Sequence, residues 1–167
     1  MRTKGFSLIE LLIVVAIILI IAAMAIPNLL RARIAANEAS AANSIRKITT
    51  AEVAYSSAFP TQGYAPALSN LGGPAIGCTP TALTACILDT VLSSGNKSGY
   101  QFAAKGFAAT GVLNTSFVAG SAPQSYNITG VRFFCSATDG VLRADPGTAG
   151  NPPVATVAAC LNYPMTP

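Results

Sequence analysis

The sequence predicts an α+β chain in which a long N-terminal α-helix packs against a small C-terminal antiparallel β-sheet. Three observations carry that expectation. Apolar residues run unbroken from Leu11 through Ile26, sixteen in a row. After Leu30 they thin to a one-sided helical pattern, and beyond Pro60 the chain becomes short apolar runs separated by Gly, Pro, Ser and Asn. The composition also points away from an ordinary soluble enzyme: 51% of the 167 residues are hydrophobic, 10% are charged, and there is no histidine.

The first element is the apolar one. From Phe6 to Leu30 only Ser7, Glu10, Pro27 and Asn28 interrupt the run. As a helix these positions extend about 37 Å at about 1.5 Å per residue, enough to cross a hydrocarbon core of about 30 Å. Residues 6–30 therefore read as a transmembrane segment, preceded by a short leader that carries Arg2 and Lys4. A secretion signal cut beyond the apolar run, near Ala23 and Ala25, is the alternative, although the core of such a signal is usually only about 7–15 residues. Flanking charge does not orient the segment, because Arg2 and Lys4 on one side balance Arg31 and Arg33 on the other. The net charge of +4 falls to +2 without the two leader cations. That excess identifies no nucleic-acid partner, and Arg31, Arg33, Arg46 and Lys47 read as a solvated helix face.

Residues 31–59 continue as an amphipathic helix. Ile34, Ala41, Ile48 and Tyr55 lie seven apart, Ile45 and Phe59 reinforce the neighbouring rows, and Glu38, Arg46, Lys47 and Glu52 are expected to leave that face free for packing. The helix should fade around Pro60. Residues 60–167 are long enough for one globular head. Gly63-Tyr64-Ala65-Pro66 and Leu71-Gly72-Gly73-Pro74 are loop signals, and Leu83–Leu92 reads as a short helix before the turn cluster Ser93-Ser94-Gly95-Asn96. Tyr100–Ala103, Ser116–Ala122, Val131–Cys135 and Val141–Ala144 are strand candidates, with Thr138-Asp139-Gly140 as a hairpin turn between the last two.

The opening KGFSLIELLIVVAIILIIAAMAIPNLLRAR resembles the precursor signature of type IV pilins and of the related major pseudopilins of secretion systems. The resemblance is most specific in Lys4-Gly5-Phe6 followed by Leu8-Ile9-Glu10. It implies the pilin fold, with cleavage after Gly5 by a membrane aspartyl peptidase and methylation of the new terminus at Phe6. Glycine suits that boundary physically, since the missing side chain leaves the backbone open to the peptidase. Glu10 is an expensive carboxylate in an apolar helix and shares a face with Phe6 four residues earlier. The resemblance implies that it recognises the terminal amine of a neighbouring subunit during assembly. Pro27 lacks an amide donor and crowds the preceding turn, so Pro27-Asn28 either ends the anchor or bends a helix that continues. The resemblance implies continuation and a part in helix packing within the fibre.

Four cysteines fit an oxidising destination, and their spacing leaves three complete pairings open. Neighbouring closures give two compact clips, Cys78 with Cys86 and Cys135 with Cys160, and the second resembles the C-terminal loop restraint of many pilins. No metal or cofactor is expected: the cysteines lack a close Cys-x-x-Cys pair, and Asp139 and Asp145 match no complete calcium loop. Nor is enzymatic activity, because Asp89, Asp139 and Asp145 have no histidine or nucleophile motif beside them. The resemblance implies the major structural subunit of a type IV pilus, first a single-pass inner-membrane precursor and then part of an extracellular filament used for adhesion, twitching motility or DNA uptake. The implied partners are further copies of the chain, a prepilin peptidase and N-methyltransferase, and an inner-membrane platform driven by separate cytosolic ATPases, with minor pilins as companions. A major pseudopilin of a type II secretion system and a passive membrane-tethered binding module are the alternatives. The cysteine-rich head favours the pilin branch.

Overall fold

The computed structural model describes residues 7–109 and 111–166. The chain forms two compact units, Met1–Arg33 and Ile34–Pro167. Helix α1, Leu8–Ala58, contributes to both.

In the first unit α1 is a helix of almost uninterrupted Leu, Ile, Val and Ala, long and apolar enough to cross a membrane. Pro27 lies inside it. The proline supplies no N–H to the carbonyl four residues earlier, yet the helix does not end there, so of the two readings of Pro27-Asn28 continuation is the one observed. Next to it, Asn28 Nδ2 donates to the Met24 carbonyl at 3.1 Å.

In the second unit the remainder of α1 buries Glu38, Ala41, Ser44, Ile45, Ile48, Ala51, Glu52 and Tyr55. They face a five-stranded antiparallel sheet in the order β1-β2-β3-β4-β5. The strands are β1 Asn96–Lys97, β2 Tyr100–Ala108, β3 Asn114–Pro123, β4 Phe133–Ala137 and β5 Arg143–Asp145. Register places Phe102 opposite Ser121 and Ala119 opposite Ser136. Ile45, Ile48 and Tyr55 pack with Tyr100, Phe102, Phe117, Ala119 and Phe134. Burying each large apolar side chain is worth about 1.5–3 kcal/mol. On the opposite face Val118, Cys135 and Ala137 pack with Cys160 of a short helix, α3 Val157–Leu161. Thr156 Oγ1 holds the start of α3 by accepting from Ala159 N. Cover on both faces explains the continuous burial of β4 and of most of β3, whereas β2 alternates.

This is the long helix against an antiparallel sheet that the sequence predicts, and it is the pilin arrangement. Three expectations need correction. The strand candidates are displaced or too short, most clearly β2, which runs to Ala108. Leu83–Leu92 is not a helix. The amides of Ala85, Cys86, Ile87 and Leu88 donate instead to carbonyls of Asn70, Gly72 and Leu71, and Cys86 sits at φ +58°, which breaks helical continuity. Only α2, Thr90–Ser93, forms there, capped by Asp89 through a 2.8 Å bond from Leu92 N. Finally, Glu38 and Glu52 do not leave the packing face free: both are buried in it. Each carboxylate finds backbone donors that sequence spacing does not reveal.

Candidate assembly surface

Among the described residues the first unit presents an exposed apolar helix surface. Sixteen large hydrophobic residues between Leu8 and Leu30 are exposed, from Leu8 and Ile9 to Leu29 and Leu30. Such a surface is stable only against hydrocarbon or other apolar helices. Glu10 lies in the first turn of α1, exposed on that surface. Gly5 and Phe6 lie outside the described residues. Arg31 and Arg33 follow the apolar run and are exposed, as are Arg46 and Lys47 on the later part of the helix.

The second unit is held to its helix by two carboxylates. Glu38 Oε1 accepts from the amides of Val131 at 2.9 Å and Arg132 at 3.1 Å, while Oε2 accepts from Arg132 Nε at 2.7 Å. Burial pushes the Glu38 carboxyl upward, but the two amides and the guanidinium outweigh it and hold the group below its ordinary value. The Arg132 guanidinium also lies over the Phe134 ring, and the Arg132 carbonyl accepts from Tyr100 Oη at 2.9 Å. Burial, then the Glu38 charge, raises the Tyr100 phenol. Beside this clasp Asn37 Nδ2 donates to the Thr129 carbonyl at 2.9 Å.

Glu52 is different. It is fully buried, Oε2 accepts from Ala65 N at 2.8 Å, and Oε1 has no partner among the described residues. Burial raises its carboxyl to about 7, the Ala65 bond opposing the shift. Sequence reasoning missed both residues, although one signal was present: Glu38, Ile45 and Glu52 form a seven-residue row beside Ile34, Ala41, Ile48 and Tyr55, so helical geometry alone places them toward the sheet.

The four cysteines form two bridges, Cys78–Cys86 and Cys135–Cys160, with Cα separations of 6.1 and 5.8 Å. The second pair is fully buried and ties α3 to β4; the first closes a half-buried surface loop. Asp139 accepts from Arg143 Nη2 at 2.6 Å and from Val141 N at 3.1 Å, shaping the β4–β5 turn with Gly140 at φ +70°.

Residues 1–26 match the prokaryotic N-terminal methylation motif. The chain is 68% identical over 37 residues to the type IV wide pilus major component PilA4 of Thermus thermophilus, a stretch covering 22% of this chain and 28% of that protein. It is 43% identical over 54 residues to the type IV major pilin protein PilA of Myxococcus xanthus, covering 32% of this chain and 24% of the relative. The chain thus spans about a quarter of the length of each of these curated relatives. No solved structure matches it. The chain carries a prepilin-like methylation motif and is homologous to type IV pilin proteins over these stretches.

Proposed function

We propose that this protein is the major structural subunit of a type IV pilus, polymerising through its N-terminal helix. What supports the reading most is one observation: a helix whose large apolar residues are exposed carries an acidic residue in its first turn, within a methylation motif. A hydrocarbon core covers such a surface before assembly, and the helices of further copies cover it afterwards. Residues 1–5 are the leader, removed after Gly5 by a peptidase that also methylates Phe6. Residues 6–30 are the membrane anchor and then the filament core, 31–59 tie the anchor to the head, and 60–167 form the head on the outside of an extracellular fibre. The chain is the substrate of its processing enzyme and performs no catalysis of its own. Force for adhesion, twitching motility or DNA uptake comes from separate cytosolic ATPases acting through an inner-membrane platform.

In this mechanism the Glu10 carboxylate pairs with the mature Phe6 amine of a neighbouring subunit. A charged hydrogen bond of that kind is shorter and roughly twice as strong as a neutral one, and its strength grows as water is excluded. Pro27 gives the helix a local irregularity that helps neighbouring helices fit. The test is Glu10→Gln, which keeps the shape and removes the charge. Membrane-bound precursor, processed monomer and sheared filaments are quantified together. Normal processed monomer with markedly fewer filaments is expected; wild-type filament yield would refute the role of the charge.

A further inference from the structure

The two disulfides sit in opposite surroundings. Cys135 and Cys160 are fully buried, and Cys135 lies on β4 between β3 and β5. Cys78 and Cys86 are half-buried, and a surface cleft of about 370 Å³ opens beside them between residues 73–75 and 88–90. Exchange begins with a thiolate reaching a disulfide sulfur, and of the two bridges this is the one that offers access in the folded chain.

The bridge also joins two segments that are held very differently. The Cys86 side is pinned: the amides of Ala85, Cys86, Ile87 and Leu88 donate to carbonyls of Asn70, Gly72 and Leu71, and the Ala82 carbonyl accepts from Tyr55 Oη at 2.7 Å. On the Cys78 side, residues 73–80 make no backbone hydrogen bond among the described residues, and Pro74, Ala75, Ile76 and Gly77 are exposed, Ile76 by 91%. The bridge is therefore the tether of an otherwise unbonded arm, and the bonded frame under Cys86 does not run through it.

We propose that Cys78–Cys86 is a thiol–disulfide exchange site, at which a dithiol reduces the bridge and frees residues 73–80 while the rest of the head stays folded. One thiolate of the dithiol attacks Cys78 Sγ, the sulfur on the unbonded arm. The Sγ–Sγ bond breaks, and Cys86 leaves as a thiolate that takes up the proton given off by the attacking thiol. The second thiolate then attacks the dithiol's own sulfur in the mixed disulfide and releases Cys78, which is protonated in turn. Two electrons pass from the dithiol to the bridge and the dithiol ends as its disulfide; the reverse sequence closes the bridge on the folded head. Cys135–Cys160 takes no part, because reaching it requires β4 or α3 to open. The step does not depend on polymerisation.

The test uses the oxidised full chain in detergent, without denaturant. One sample receives dithiothreitol and another a protein dithiol of the Cys-x-x-Cys type. Aliquots are alkylated at intervals, the four cysteines are quantified by peptide mass spectrometry, and circular dichroism is read in parallel. Cys78 and Cys86 should be alkylated at least about tenfold faster than Cys135 and Cys160, with circular dichroism unchanged and new protease cuts confined to residues 73–80. Reduction by dithiothreitol alone assigns the site to small dithiols, and reduction by both extends it to protein dithiols. Equal rates at the two bridges, or loss of Cys78–Cys86 only as the head unfolds, would overturn the proposal. A double variant, Cys78→Ser with Cys86→Ser, checks the same point without a reductant. It should keep the native circular dichroism and the Cys135–Cys160 bridge while residues 73–80 become cleavable. A double variant that does not fold shows that the frame needs the bridge, and that result also overturns the proposal.

Discussion

Replacing Glu52 with Gln should make the protein's stability less dependent on pH, and the direction follows from burial. The folded chain holds the Glu52 proton up to about pH 7, against an ordinary value of 4.5. Between those values the folded state binds more protons than the unfolded one, so this group lowers stability as pH rises through the window. A separation of that size corresponds to about 3 kcal/mol once the pH is above both values. Gln keeps a carbonyl for the Ala65 amide and cannot ionise. It places an amide where Oε1 has no partner among the described residues, a pH-independent cost of about 1–3 kcal/mol. The balance should therefore shift toward the variant by about 2.5 kcal/mol between about pH 5 and pH 8. Denaturant unfolding of the detergent-solubilised full chain, followed by circular dichroism with disulfides intact, measures it. A difference between the two proteins that does not change with pH would refute the argument.

Glu38→Ala should destabilise the second unit by about 3 kcal/mol, because it strands two backbone amides and the Arg132 guanidinium; the unfolding midpoint checks it. The sign with pH is opposite to that of Glu52. The depressed Glu38 carboxyl contributes fully above its ordinary value of 4.5 and loses that contribution as pH falls through its lower folded value, so the gap between native and variant chains should narrow in acid. Replacing Cys135 and Cys160 together with Ser should cost about 3.5 kcal/mol from loop entropy, against about 2.5 kcal/mol for Cys78 and Cys86. Burial of the Cys135–Cys160 pair widens the difference, and paired unfolding curves under oxidising conditions read it.

Features that depend on long patterns can be read from the sequence. The apolar run, the switch to a one-sided helix and the alternation along β2 follow such patterns, because burial on one face imposes a repeat on the chain, whereas β3 and β4, covered on both faces, show little alternation and are placed less accurately. Leu83–Leu92 fails that reading: its composition is helical, but its amides go to Asn70, Leu71 and Gly72, partners chosen by tertiary contact. Glu38 and Glu52 escape it for a related reason. Charge argues for solvent, yet Val131 and Arg132, 93 and 94 residues beyond Glu38, and Ala65, 13 beyond Glu52, supply the donors that make burial tolerable. Helix α3 has only five residues, too few to show a period, and its position depends on Cys160 reaching β4.

Whether the chain is processed after Gly5 and then built into a surface filament as its main component is decided by quantitative mass spectrometry of filaments sheared from cells. This chain should dominate the preparation, and its N-terminal peptide should begin at methylated Phe6. Scarcity in the fibres, or a terminus created beyond the apolar run near Ala25, would contradict the proposed role.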